Sequence, residues 1–263
     1  MLIIPVFLPF GGCPHRCVFC DQKGITGRTS IPSIEEVHSA IRGHLSTWRG
    51  GGLREVAFYG GSFTSLPFET QRTYLETAFE YVKSGLIGSV RVSTRPDSLP
   101  DSTIEFLKGY GVETVELGVQ SMSDEVLRLS GRGHGALDTV NAIRLLKAHG
   151  LRVGAQFMPG LPGDTRERAV RTAEEIIRLK PDFARLYPTL ILSNTPLEGM
   201  FKRGDYVPWS LDEMVEVCKV ISRLFKEAGI PIVRMGLQAL PSLAEAFVAG
   251  PYHPSFRQLV ESS

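Results

Sequence analysis

Six short runs rich in apolar and β-branched residues recur along the chain, and each is followed by a stretch of helical periodicity. They are Leu2–Leu8, Glu55–Tyr59, Ser89–Ser93, Val112–Val119, Leu151–Met158 and Phe183–Tyr187. Near-continuous hydrophobicity over so few residues predicts strands buried on both faces of a parallel sheet. Alternation of such strands with helices predicts an α/β fold, a sheet closed or partly closed with helices outside. Six units fall short of the eight of a complete barrel. Ser33 with Glu36, Asp164 with Glu167, and Ser210 with Glu213 read as helix starts of the capping-box kind. Leu137, Val140, Ile143 and Leu146 give a helical stripe that Gly150 stops. Thr70 to Val82 and Thr103 to Lys108 are the remaining helical slots. No composition shift marks a boundary before about residue 236, so 1–236 is read as the core and 237–263, with Pro241, Pro251 and Pro254, as a short C-terminal extension.

The 263 residues carry 29 Lys+Arg against 28 Asp+Glu, a formal net charge of +1, so no global basic field is available to condense on nucleic acid or anionic lipid. No apolar run approaches the ~20 residues that span a bilayer. The segment Met1–Val6 lacks the basic region and cleavage site of a secretory signal. The expectation is a cytoplasmic protein, away from membranes, whose thiols stay reduced.

Three of the four cysteines crowd into Cys13-Pro-His-Arg-Cys17-Val-Phe-Cys20. A disulfide reading leaves one thiol over and contradicts the compartment. Three thiolates on one loop suit one inorganic centre: iron–sulfur clusters favour thiolate ligation, and zinc also takes sulfur. Cys218 belongs to the stripe Leu211, Met214, Cys218, Ile221, Phe225 and reads as helix core, while His15 lies inside the loop as a weaker candidate ligand. The centre then has three protein ligands and an open position, which favours catalysis or substrate binding over a structural role.

In parallel α/β folds, ligands sit at the carboxyl ends of strands, and the cysteine loop follows the first strand directly. Gly60 and Gly61 end the second strand, where a backbone without Cβ atoms can approach a ligand. Ser93 and Arg95 end the third and could meet ribose and carboxylate oxygens; a capped turn through Pro96 and Asp97 is the alternative. Glu116 and Gln120 share one face of the fourth. A carboxylate in an apolar strand needs a partner, so Glu116 is either an active-site group or half of a structural ion pair. Arg132, in Gly131-Arg-Gly-His134, suits carboxylate recognition beside a helix start, with a solvated loop arginine as the alternative. Tyr187 and Arg185 project to one side of the sixth strand, read as the barrel interior.

The Cys-x3-Cys-x2-Cys spacing, with Phe19 before the last cysteine, resembles the radical S-adenosylmethionine (SAM) enzymes. The resemblance implies a partial (β/α)6 TIM-like barrel, a 4Fe-4S cluster held by Cys13, Cys17 and Cys20, and SAM chelated to the fourth iron. It implies that Phe19 is a cofactor-binding residue, that Gly60 and Gly61 bind the SAM amino group, that Ser93 and Arg95 contact SAM, that Gln120 reaches cofactor or substrate, that Arg132 takes the methionine carboxylate, and that the turn at Met158 packs near adenine. Glu116, Gln120 and Tyr187 are the catalytic candidates. Ser93 departs from the family, whose nearest members carry glutamate there.

The run of Gly-Val-Gln-Ser, Arg-Gly-His, Met-Pro-Gly-Leu-Pro and Leu-Tyr-Pro-Thr-Leu is similar to the radical SAM core of the Elongator catalytic subunit over roughly residues 5–235, and more distantly to oxygen-independent coproporphyrinogen III oxidases. The implied chemistry is reductive cleavage of SAM to methionine and a 5′-deoxyadenosyl radical, fed by a donor such as a flavodoxin or ferredoxin. The substrate stays open, with transfer RNA a candidate. Neither the acetyltransferase domain nor the RNA-binding extension of that subunit is expected within these 263 residues. The competing readings are a non-catalytic iron–sulfur or zinc protein, and a haem or cofactor chaperone on the same scaffold.

Overall fold

The computed structural model describes residues 1–22, 27, 30–237 and 241–262. Its strands are β1 (Leu2–Phe7), β2 (Arg54–Tyr59), β3 (Ser89–Thr94), β4 (Val112–Gln120), β5 (Arg152–Phe157), β6 (Phe183–Leu186), β7 (Ile191–Leu192), β8 (Ile232–Met235) and β9 (Phe247–Ala249). The helices are α1 (Ile34–Thr47), α2 (Phe68–Lys83), α3 (Asp101–Gly109), α4 (Asp124–Leu129), α5 (Ala136–Ala148), α6 (Arg166–Arg178), α7 (Pro196–Arg203), α8 (Leu211–Glu227), α9 (Pro241–Ala246) and α10 (Phe256–Glu261). A seven-stranded, all-parallel sheet runs β1-β2-β3-β4-β5-β6-β8, and β7 pairs antiparallel with β9 beside it. The partial-barrel expectation holds, with β8 as an unforeseen seventh strand. Among the described residues no helix is long and apolar enough to cross a membrane.

Period-2 alternation assigns two different tasks to the two sheet faces. Ile4, Val6, Val56, Phe58, Val90, Val92, Val115, Leu117, Val153 and Leu186 are buried together beneath the helices, with Val37, Leu75, Ile143, Ile176 and Ile221 opposing them. The other face carries Glu55, Arg91, Glu116 and Arg185, which bond to one another. The strands are thus buried on both faces, as expected, but the inner face is polar rather than apolar.

Those inner contacts also measure the curl. Arg185 on β6 donates to the Tyr59 hydroxyl on β2 at 2.7 Å, although four strand-to-strand steps separate them. In a flat sheet these strands would stand ~19 Å apart at the usual ~4.8 Å spacing. The sheet is therefore bent into a half-barrel, with the carboxyl ends of β1 to β6 at one rim.

Helix starts follow side-chain chemistry. Ser33 and Glu36 form a reciprocal capping box on α1, and Ser210 and Glu213 form another on α8. At α6 the cap is Thr165, whose hydroxyl accepts from the Arg168 N–H, and not Asp164 as the sequence suggested. Asp164 instead closes the preceding turn, accepting from the N–H groups of Gly160 and Thr165. Cys218 lies fully buried in the α8 stripe, as expected. The expected extension packs back onto the core: Phe256 and Val260 of α10 join its apolar cluster, while residues 238–240 and 263 lie outside the described residues.

Burial lifts the Asp164 carboxyl from 3.8 to about 6, against the opposing pull of its backbone bonds. A raised carboxyl pKa means that the folded state holds the proton more tightly, so its stabilising contribution is full below about 3.8 and is lost as pH rises through about 6. In urea titrations at matched pH, Asp164→Asn should gain on the wild type steadily between pH 4 and 6. A stability difference that stays flat across that window contradicts the assignment.

Candidate metal and cofactor site

The loop leaving β1 turns back over the rim through Phe10 and Gly12, whose φ values are +55° and +71°. It packs against the turn that ends β2. The Ser62 N–H donates to the Gly11 carbonyl at 2.7 Å, and a Cβ on Gly61 (φ +60°) would lie 2.1 Å from that oxygen. A Cβ on Gly12 would lie 2.2 Å from the Ser62 carbonyl. Only glycine permits this approach at either position.

Cys13, Cys17 and Cys20 are free thiols on this loop, Cys17 buried and the other two half-buried. Burial, followed by the neighbouring Cys17 sulfur, raises the Cys13 thiol, and the same causes push Cys20 up to about 12. Both thiols therefore ionise more readily beside a cationic partner. Among the described residues, no three His, Cys, Asp or Glu side chains converge tightly enough for one metal ion. A polynuclear iron–sulfur cluster, which takes one thiolate per iron, asks for a wider trio than a single ion does.

Arg132 stands behind the trio. Its Nη1 donates to Cys17 Sγ at 3.2 Å and its Nη2 to the Gly118 carbonyl at 2.6 Å. Gly118 makes room, since a Cβ there would lie 3.3 Å from Nη2. Arg95 is buried and grips Asp97 with two bonds of 2.9 and 2.8 Å while donating to the Arg132 carbonyl at 2.5 Å. Although burial works the other way, that bidentate pair holds Asp97 below its ordinary value. His134 beside it is pulled down to about 4, first by burial and then by the charges of Arg132 and Arg95, so it is neutral at pH 7.

Gln120 ends β4 in the left-handed region, at φ +66°, beside a register shift at Gly118. A buried non-glycine residue held there marks a site whose surroundings impose the strain. Its carbonyl accepts from Met158 N–H at 2.8 Å, which fastens the Met158 turn to the end of β4.

Glu116 faces the interior, opposite Ser93 in the β3–β4 register. It accepts from Arg91 at 2.7 Å and pairs with Arg185 at 2.9 Å, and Tyr59 donates to it at 3.3 Å. Arg91 continues to Glu55 at 2.5 Å, which also accepts from Ser89. Arg185 lies over the Tyr59 ring, 5.0 Å from its centroid, and donates to the Tyr187 hydroxyl at 3.3 Å. Burial, and then the Glu116 charge, raise the Tyr59 hydroxyl to about 12. Two carboxylates and two guanidiniums thus balance inside the barrel, and Glu116 has the ion pair that its burial demands. Gly154 opens the space, because a Cβ there would sit 2.4 Å from the Phe183 ring and 3.1 Å from Glu116 Cγ.

The structure thus gathers Cys13, Cys17, Cys20, Gly60, Gly61, Ser93, Arg95, Glu116, Gln120, Arg132, Met158 and Tyr187 at or below one rim. Phe19 turns aside, packing on the cluster of Ile191, Leu197 and Tyr206, where it anchors the loop. Tyr59, Arg91, Glu55 and Gln22 are part of the arrangement and were not among the expected residues. A cavity of about 520 Å³ lies between His15 and Arg128, Gly133, His134 and Leu137; none of the three thiols lines it.

The family model described as the radical SAM superfamily matches residues 7–176, and the radical SAM C-terminal domain matches 181–263. The chain is 40% identical over 255 residues to a tRNA uridine(34) acetyltransferase of Methanocaldococcus infernus, which covers 82% of this chain and 48% of that protein. It is 26% identical over 288 residues to the enzyme of that name from Dehalococcoides mccartyi, covering 95% of this chain and 62% of the relative. The chain therefore spans about half to three-fifths of the length of these two relatives. The structure of M. infernus Elp3 with an N-terminal deletion superposes with a TM-score of 0.78 at 24% identity, over 99% of this chain and 62% of that one.

Removing one partner from a buried ionic network leaves the others uncompensated, which costs about 3–5 kcal/mol. Glu116→Ala should lose that much in urea unfolding, because Arg185 loses its carboxylate and Arg91 one of its two. Ser93→Ala, at the same height on the same face, should stay within about 1 kcal/mol. A loss below about 1 kcal/mol for Glu116→Ala would show that the network is not under load.

Proposed function

The chain belongs to the radical SAM superfamily, and from that premise we propose that it cleaves SAM reductively and directs the resulting radical at a transfer RNA uridine. Cys13, Cys17 and Cys20 hold the 4Fe-4S cluster in this reading and leave one iron for the amino and carboxylate groups of SAM. The observation that carries it is the set of three free thiols on one loop, at the rim of a half-barrel, locked by steric contact to a glycine pair at the next strand end. The donor set suits the group: all sulfur, carried on one loop, and backed by a guanidinium that offsets thiolate charge.

When bound, the cluster and SAM supply the one-electron cleavage chemistry, and the chain supplies binding, orientation and exclusion of water. Gly60 and Gly61 let backbone groups approach the amino end of SAM. Arg132 serves Cys17 and the methionine carboxylate, with Arg95, itself gripped by Asp97, holding it in place through the Arg132 carbonyl. Phe19 fixes the loop from its outer side. Gln120, Ser93 and Met158 line the path of ribose and adenine. Glu116 and Tyr187, tied through Arg185, form the polar floor on which the substrate is positioned. Residues 1–236 form the catalytic core in this reading, and 237–263 are the extension that closes against it through β9 and α10. The work is cytoplasmic and draws electrons from a flavodoxin or ferredoxin. Transfer RNA is favoured as substrate by the similarity to the two tRNA uridine(34) acetyltransferases.

Anaerobic reconstitution with iron and sulfide, followed by dithionite and SAM, should release 5′-deoxyadenosine. Cys13→Ala, Cys17→Ala and Cys20→Ala should each fall to background in both cluster content and product, whereas Cys218→Ala should retain both. Adding transfer RNA deuterated at uridine should carry label into 5′-deoxyadenosine. Uptake of one zinc without sulfide, or equal loss from Cys218→Ala, would sink the proposal.

A further inference from the structure

Gln22 lies two residues beyond the third cysteine and reaches back across the loop. Its Oε1 accepts the Phe10 N–H at 2.6 Å and the Gly61 N–H at 2.8 Å, so a single oxygen ties together positions 12 and 39 residues distant in sequence. Both donors sit in the left-handed region, Phe10 at φ +55° and Gly61 at φ +60°. Only Phe10 is strained there, since glycine adopts the region freely. Gly60 also presses close, since a Cβ on it would stand 3.2 Å from the same oxygen. Two N–H groups on Oε1 fasten the amide to the backbone of both loops, two residues after Cys20.

We infer that Gln22 is a positioning residue for both cofactors, setting the Cys20 arm of the cluster loop against the turn that receives SAM. This rests on the function proposed above. The reasoning is that of a metal site's outer shell, in which groups behind the ligands fix their orientation. The amide oxygen satisfies two backbone donors that would otherwise be left without a partner in a half-buried loop.

Two substitutions separate the acceptor from the rest of the side chain. Gln22→Glu keeps an acceptor for Phe10 and Gly61, whereas Gln22→Leu removes it. In the cluster-free chain, hydrogen exchange at the Phe10 and Gly61 amides should quicken about tenfold in Gln22→Leu, the scale of one lost hydrogen bond, and stay near wild type in Gln22→Glu. In the reconstituted chain SAM affinity should fall about tenfold in Gln22→Leu and within about threefold in Gln22→Glu. A Gln22→Leu chain that loads its cluster yet keeps wild-type exchange and SAM affinity overturns the role of Gln22 alone. A wild-type chain that takes up no cluster overturns the proposed function instead, and the exchange rates then still decide whether Gln22 bridges the loops.

Discussion

Where Ser62 donates to the Gly11 carbonyl, two backbone segments meet without a side chain between them. A methyl group at Gly61 would stand 2.1 Å from that oxygen, and one at Gly12 would stand 2.2 Å from the Ser62 carbonyl. The contact is steric before it is polar, and it fixes how the cysteine loop sits on the rim. Everything above the sheet inherits its position from this junction: Cys13 one residue after it, Cys17 buried against Arg132, and Cys20 followed by Gln22, which spans the junction from the other side. Val18 adds a further tie, donating to the Ser130 carbonyl and accepting from the Leu197 N–H, so the loop is held from three directions.

Below the rim the barrel is filled by charge rather than hydrocarbon. Glu55, Arg91, Glu116 and Arg185 come from β2, β3, β4 and β6, and their mutual pairing requires the curl of the sheet. A buried network of this kind adds little net stability over an apolar filling, but breaking it is costly, so it favours one arrangement of strands over nearby alternatives. It also gives the floor of the chamber a fixed polar pattern, ending upward in Tyr59, Arg185 and Tyr187. The helices, by contrast, grip the outer face through an ordinary apolar layer. Stability and site therefore occupy opposite faces of the same strands.

Much of this is legible from sequence, for physical reasons that differ by element. Six strands and most helices declare themselves through runs and capping boxes, because those signals are local. Glu116 declares itself because an isolated carboxylate in a buried strand needs a partner. The same argument applies to Arg91 and Glu55, yet Val90, Val92, Val56 and Phe58 around them make the runs look uniformly apolar and conceal the polar face. β8 escapes because only Ile232 and Met235 of its four residues are buried, leaving neither alternation nor a continuous run. Asp164 and Thr165 are both good caps standing side by side; the choice falls to the backbone, which spends Asp164 on the Gly160 turn. Gln22 is invisible to any local rule, since its partners are Phe10 and a turn 39 residues away. Phe19 is expected at the cofactor, and its packing against β7 and α7 depends on tertiary contacts that spacing alone does not specify.

Membership of the radical SAM superfamily brings a 4Fe-4S cluster and SAM as cofactors, and the central claim is that three thiolates of this chain bind the cluster and leave one iron to SAM. Mössbauer spectroscopy of protein reconstituted with iron-57, recorded before and after SAM is added, tests it most directly. The expected result is a cluster of four irons in which SAM changes the parameters of one and leaves three as they were. Four irons that remain indistinguishable after SAM is added, or spectra without any cubane signature, would contradict it.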